Sequence, residues 1–409
     1  MEYKSHMSKK IAFLTSSIIL FEWIELILYL YLGTIFSQYF LGNNAESLIY
    51  IYAIFAISYL GRPIGGLVFG YFSDKYGRKG PLLMSSLLVG VSTLSISLIP
   101  SFENISWYAP IFLLLARFIQ SIAVSGEFNN ASIYLLEHSQ DKKTFASCLP
   151  ATAASAGMLV ALAISYLIGN SSNIYLWKYV YFILGLMSII IFFLRKNLSE
   201  SPEYIKRFKS TSKKSIWRTL LQYKKELFQL IFLGSFLSIF IYIYNGLFMS
   251  YIAPTLNYSA NYSKLIMAFT QLCVTLLIPI IALYAEKRNY RVILKSTIPL
   301  IGLMSLCLFY GALLGNSNIV VIGLILYILG NASISATIFR YLAENLPTEV
   351  RCTGCSFTYS LAVAFLGSTA PLLGELMIQK HSLLGPAYYI CIFTFIAYLC
   401  VNLKDRIKA

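Results

Sequence analysis

The chain has 409 residues, of which 58% are hydrophobic, 15% aromatic and 12% charged. Soluble domains carry about 45–50% apolar and about 25% charged residues, so this composition excludes an ordinary soluble enzyme and a disordered chain. The formal net charge of +15 would favour nucleic-acid binding on a soluble protein; where the charges sit decides whether it does here.

A helix needs about 20 mostly apolar residues to cross roughly 30 Å of hydrocarbon. In chain order such runs lie at 11–41, 51–72, 81–100, 108–134, 145–169 and 178–195. A second set lies at 227–253, 263–285, 292–314, 318–342, 353–378 and 385–403. A spanning segment must satisfy its backbone internally, as a helix does. The runs are continuous, as in Ile183–Leu194, and lack the alternation of an outer-membrane barrel. The expectation is an all-α membrane protein with twelve transmembrane helices. The first run is too long for a cleavable signal and continues into a full span. Met7, followed by Ser8-Lys9-Lys10, offers an alternative start to Met1.

The polar stretch 196–226, with Lys206-Arg207, Lys213-Lys214 and Lys224-Lys225, falls near the midpoint. It separates residues 1–195 from 227–409, six spans on each side, which predicts two six-helix bundles joined by a cytoplasmic middle loop. Of the 32 Lys and Arg residues, 27 fall in the N-terminus, the even-to-odd loops, the middle stretch counted from Arg195, and the tail, all on one side. Only Lys178, Lys264 and Lys380 fall on the other, and Arg62 and Arg117 belong to spans. By the positive-inside rule both termini face the cytoplasm. The +15 is therefore topological bias, and no nucleic-acid partner is expected.

The two halves show weak similarity. Gly70-Tyr-Phe-Ser-Asp74-Lys75-Tyr-Gly77-Arg78-Lys79 follows the second span, and Ala282-Leu-Tyr-Ala-Glu286-Lys287-Arg288-Asn289-Tyr290-Arg291 follows the eighth. Tyr134-Leu-Leu-Glu137 and Tyr341-Leu-Ala-Glu344 end the fourth and tenth spans in the same way.

Arg62-Pro63-Ile-Gly65-Gly66, leading into Gly70…Asp74-Lys75-Tyr-Gly77-Arg78-Lys79, resembles the loop signature of the major facilitator superfamily. Glu22-Trp23-Ile24-Glu25-Leu26, Arg117…Gln120-Ser121…Ser125-Gly126-Glu127, Ser201-Pro202-Glu203 and Glu344…Pro347…Arg351…Gly354 resemble motifs of its metabolite:proton symporter family. Glu25 stands where that family has Asp, and Ser121 and Ser125 where it has glycines. The resemblance implies a proton-coupled secondary transporter in a bacterial cytoplasmic membrane, working as a monomer by alternating access. Its members carry proline and betaine, alpha-ketoglutarate, citrate and shikimate.

The residues then take expected roles. Glu22 and Glu25 share a helix face at i,i+3 and lie mid-membrane. A charge there costs at least about 2.5–3.5 kcal/mol, and two acids side by side favour keeping one neutral. They are candidate proton-coupling groups; a structural ion pair is the bland alternative. Arg117, with Gln120 on the same face, cannot shed its proton and must find an anion, either a glutamate or a substrate carboxylate. Glu127 is a further protonation candidate or a partner for Arg62 or Arg78. Tyr242, Asn245, Gln271 and Asn331 offer neutral and aromatic groups suited to a zwitterion. The gate set is Arg62, Gly70, Asp74, Lys75, Gly77, Arg78, Lys79, Glu137, Glu286, Arg291, Glu344 and Arg351, with Arg78 and Lys79 expected to pair across the bundle.

A phosphate loop of the G-x-x-x-x-G-K-[ST] type is absent from the sequence, so an ion gradient is the expected driving force, with no cofactor. No catalytic constellation or His-rich metal cluster is visible, so an enzyme is not expected. Cys352 and Cys355 have CxxC spacing without a second pair and read as packing residues. The rival functions are export of a small organic compound, such as a citrate-type metallophore or a drug, and a sensor that binds a solute without moving it.

Overall fold

The computed structural model describes residues 8–42, 47–171, 173, 175–210 and 215–408. Lys4, Met1, Met7, Lys213 and Lys214, used above for topology and the start site, lie outside the described residues.

Twelve helices are long and apolar enough to cross a membrane, and no strand occurs among the described residues. They are Lys9–Tyr31, Ala53–Tyr76, Lys79–Leu98, Tyr108–His138, Lys143–Gly169 and Leu176–Arg195 in the first half of the chain. Lys224–Leu247, Asn261–Lys287, Tyr290–Leu313, Ser317–Glu344, Arg351–Gln379 and Gly385–Asn402 follow in the second half. Their outward faces carry exposed apolar side chains, among them Leu115, Ile119, Ile280, Ile322 and Phe395. Such surface would be unfavourable in water and suits lipid.

Boundaries differ from the sequence reading where the chain turns. A helix over 11–41 would be about 46 Å long, well beyond the hydrocarbon thickness. The chain instead breaks at Leu32, ahead of Gly33, and continues as a short helix, Gly33–Leu41. Phe36 and Tyr39 on that helix pack against Trp177 of the sixth span, with ring centroids 4.8 and 5.2 Å apart, so the short helix caps the first half. The middle stretch also contains helices, Pro202–Ser210 and Ile216–Gln222. π-helical turns occur at Phe248–Ile252 and Val363–Gly367, at the ends of the seventh span and inside the eleventh.

Two seams join the halves: the second span packs on the eleventh, and the fifth on the eighth. A six-span shift exchanges one seam for the other. Close approach needs small residues. A Cβ added to Gly70 would lie 2.6 Å from Thr353 Cα, and one on Gly66 would lie 2.6 Å from the Ser356 carbonyl oxygen.

Candidate functional site

The charged residues inside the spans form two groups, a cavity between the first, second and fourth spans and a latch at the basic ends of the helices.

The cavity is lined by Glu22, Glu25, Ser58, Tyr59, Arg62, Arg117, Gln120 and Ser121 with apolar neighbours. In this conformation it has room for about one water molecule. Arg117 Nη1 pairs with Glu25 Oε1 at 2.6 Å, so of the two acids Glu25 is the partner. Gln120 locks the pair. Its Nε2 donates to Glu25 Oε2 at 2.6 Å and to Thr93 Oγ1 at 2.8 Å, and its Oε1 accepts from Arg117 Nη1 at 2.8 Å. The Arg117 guanidinium also lies 3.9 Å from the Tyr29 ring centroid and 3.5 Å from the Tyr181 hydroxyl. Tyr181 in turn donates to the Glu25 carbonyl at 3.0 Å. Every member is at least nine-tenths buried.

Glu22 faces the same cavity at 2% exposure, and neither of its carboxylate oxygens has a hydrogen-bond partner. The charges acting on it are those of Glu127, Arg62, Arg195 and Glu25. Arg62 was expected at the gate. The structure puts it in the cavity instead, because about three helical turns separate it from Asp74 near the basic end of the same span. Its guanidinium rests on the Tyr59 ring at 4.3 Å, and Nη2 reaches the Tyr59 hydroxyl at 3.5 Å. Tyr59 OH meets Tyr242 OH across the halves at 3.4 Å, which brings one sequence candidate of the second half to the cavity rim.

Glu127 pairs with neither Arg62 nor Arg78. Its Oε1 lies 2.7 Å from Arg195 Nη1, and Ser85 donates to Oε2. Arg195 also donates to the carbonyls of Leu14, Leu82 and Thr15 and is fully buried. The sequence reading counted it as a loop cation, since it closes the sixth span beside Lys196.

The remaining second-half candidates fall in two places. Gln271 Nε2 donates to Ser155 Oγ at 2.5 Å, across the fifth–eighth seam. Asn245 donates to the Ile241 carbonyl of its own helix at 2.8 Å, and Asn331 accepts from Ser335 at 3.0 Å. The latter two sit near a stacked pair, Tyr244 and Tyr327, with ring centroids 3.7 Å apart. Neutral groups can be satisfied by neighbours on their own helix, which is why their sequence signal is weak.

At the basic end, Asp74 reaches from the second span to the N-terminus of the eleventh. Its oxygens accept from the backbone N–H of Cys352 at 3.1 Å, and from the N–H and the hydroxyl of Thr353, both at 2.7 Å. The first N–H groups of a helix lack internal partners and carry its positive dipole end, so a carboxylate fits there. Arg78 pairs with Asp74 at 3.2 Å and Glu137 at 3.1 Å, and donates to the Thr348 carbonyl of the other half at 2.9 Å. Arg351 pairs with Glu137 at 3.0 Å and Glu203 at 2.8 Å. Gly77 has φ +111°, a conformation that glycine adopts at no steric cost. Glu200, beside it, accepts from the backbone N–H of Arg78 and Lys79.

The other seam repeats the device. Glu286 accepts from the backbone N–H of Thr144 and Phe145 at the N-terminus of the fifth span. Arg340 pairs with Glu286 at 3.1 Å and Glu344 at 2.8 Å, and donates to Thr144 Oγ1 at 2.7 Å. Tyr290 donates to Glu344 at 2.5 Å and accepts from Arg291 Nε at 3.2 Å. Two expectations are corrected. Lys79 contributes a backbone N–H where a cross-bundle side-chain pair was expected, because Glu200 occupies that position. Lys75 donates to Tyr71 on its own helix at 2.9 Å, a shorter reach than across the seam. Cys352 and Cys355 are buried, and Cys355 bonds the Leu342 carbonyl.

A family model described as the Major Facilitator Superfamily matches residues 11–371. Similar proteins include the "Proline/betaine transporter" of Escherichia coli (strain K12), 26% identical over 411 residues, 94% of this chain and 81% of that protein. The "Glycine betaine/proline/ectoine/pipecolic acid transporter OusA" of Dickeya dadantii (strain 3937) is 26% identical over 404 residues, 92% of this chain and 79% of that one. A solved structure of the proton:xylose symporter XylE, bound to 6-bromo-6-deoxy-D-glucose, superposes with a TM-score of 0.76. It covers 97% of this chain and 95% of that one at 15% identity, a likeness of fold alone.

Proposed function

This chain belongs to the Major Facilitator Superfamily and is a multi-pass membrane protein, and from that premise we propose that it imports a small zwitterionic solute, of the proline or betaine kind, together with a proton. The single observation that carries the reading is Glu22, a mid-span carboxyl group with both oxygens unpartnered in a cavity shared with two guanidiniums. An isolated buried ion costs several kcal/mol, and a carboxyl group escapes that cost by carrying a proton. Glu25, by contrast, already has its partners in Arg117 and Gln120.

The proposed cycle uses the two seams. The basic end faces the cytoplasm, by the distribution of Lys and Arg, and there the latches hold residues 1–195 against 227–409. The solute and a proton on Glu22 arrive from outside. For release, Asp74 must leave the eleventh span and Glu286 the fifth. Each latch combines several charge-assisted hydrogen bonds of about 1.5–3 kcal/mol, within reach of solute binding energy. Glu127 is already held by Arg195 at 2.7 Å and keeps that partner through the cycle. No cofactor is required; the proton gradient drives accumulation in a bacterial cytoplasmic membrane.

The names of the related proteins support proline and betaine as the first solutes to try. Uptake of radiolabelled proline and glycine betaine into right-side-out vesicles should rise with an inward proton gradient and collapse with a protonophore. Accumulation that ignores the gradient would sink proton coupling, and accumulation only in inverted vesicles would reverse the direction.

A further inference from the structure

Apart from the latch residues, the first half buries three acids and three guanidiniums in its spans: Glu22, Glu25 and Glu127 with Arg62, Arg117 and Arg195. Two pairs close at short range, Glu25 with Arg117 at 2.6 Å and Glu127 with Arg195 at 2.7 Å. Glu22 and Arg62 remain, and among the described residues no carboxylate pairs with the Arg62 guanidinium within 4.0 Å.

Arg117 and Arg62 both line the cavity, and their surroundings are opposite. Arg117 already holds a carboxylate, the Gln120 amide oxygen and two tyrosines. An incoming anion would have to displace Glu25. Arg62 is 6% exposed, and among the described residues its Nε has no acceptor and its one hydrogen bond is the 3.5 Å contact to Tyr59. A guanidinium cannot be neutralised by losing its proton, and among the described residues this buried cation has no anion in contact, Glu22 acting on it only across the cavity. Its planar fork suits the two oxygens of a carboxylate.

We propose that Arg62 is the receptor for the carboxylate of the transported solute, and that Arg117 instead fixes Glu25. The inference rests on the zwitterion reading above and names the residue that would recognise one end of that solute. A carboxylate that draws Arg62 off the Tyr59 ring also disturbs the Tyr59–Tyr242 contact, which is a bridge between the halves. Solute recognition is thereby linked to movement between them. Room for the solute comes from the same separation, since the cavity as seen admits about one water molecule.

The test measures binding of proline and of prolinamide, which keeps the cationic nitrogen and lacks the carboxylate, to the purified full-length protein in detergent. Wild type should prefer proline. Arg62→Gln should lose at least about tenfold in proline affinity and little for prolinamide, so that the ratio falls toward one; Arg62→Lys should keep part of the preference. A thermal melt checks that each variant is folded, and Arg62→Lys carries the test if Arg62→Gln is not. An unchanged proline-to-prolinamide ratio in either folded variant overturns the inference. So does a ratio that collapses in Arg117→Lys but not in Arg62→Gln. Wild type that binds no zwitterion, with glycine betaine also tried, removes the underlying reading and this inference with it.

Discussion

Glu22 and Asp74 are both carboxylates, both 2% exposed and both in the first half of the chain, yet they live in opposite circumstances. Asp74 has a guanidinium, two backbone N–H groups and a hydroxyl around it. Glu22 has no hydrogen-bond partner on either oxygen. A satisfied carboxylate holds a structure together until something stronger competes. An unsatisfied one waits for a proton, so the cavity is built for exchange and the latch for holding.

The comparison breaks most visibly at Glu22. Glu22→Gln should abolish gradient-driven accumulation in vesicles, bringing the internal-to-external solute ratio to about one, while solute counterflow persists. If accumulation survives, the proton is carried elsewhere. Next in size is Asp74→Ala. It leaves two helix N–H groups and the Thr353 hydroxyl without their acceptor, and leaves Arg78 with Glu137 as its remaining carboxylate, a loss of about 1–3 kcal/mol. The expected result is a lower melting temperature and faster maleimide labelling of Cys352, which is fully buried at the seam, in a variant that keeps it as the single cysteine. Unaltered labelling would mean that Asp74 does not hold the seam shut.

Glu286→Ala sharpens the symmetry of the two seams. Glu286 and Arg340 are partly exposed, at 13% and 20% for their side chains, so solvent screens them and the loss should be about 1 kcal/mol or less. A larger effect than that of Asp74→Ala would invert the ranking of the latches. Lys75→Ala should do least, leaving the melting temperature unchanged and uptake within about twofold of wild type, because Lys75 binds its own helix neighbour Tyr71 at the surface. A strong uptake defect would restore the gating role first expected of it.

These regions also differ in how readable they were. The twelve spans are legible because lipid leaves no choice but long apolar helices. Glu22, Glu25, Arg117 and Gln120 are legible because charges at i,i+3 inside such helices are costly. The aligned acids Asp74 and Glu286 marked equivalent positions, although their targets, the N-termini of the eleventh and fifth spans, are backbone groups that no residue type announces. Arg195 was hidden by its place beside a basic loop, where topology alone explains a cation. Arg62 was assigned to the gate because it precedes the loop motif, while its helix carries it a long way from that loop. Asn245, Gln271 and Asn331 were read as one site because polar groups are rare in spans; Gln271 belongs to the fifth–eighth seam, while Asn245 and Asn331 both face Tyr327.

Proton flux measured together with solute flux tests the central claim most directly, using proteoliposomes containing an internal pH dye and adding proline or glycine betaine outside. The account predicts solute-induced internal acidification in wild type and none in Glu22→Gln, even where Glu22→Gln still exchanges solute. Undiminished acidification in Glu22→Gln would contradict it.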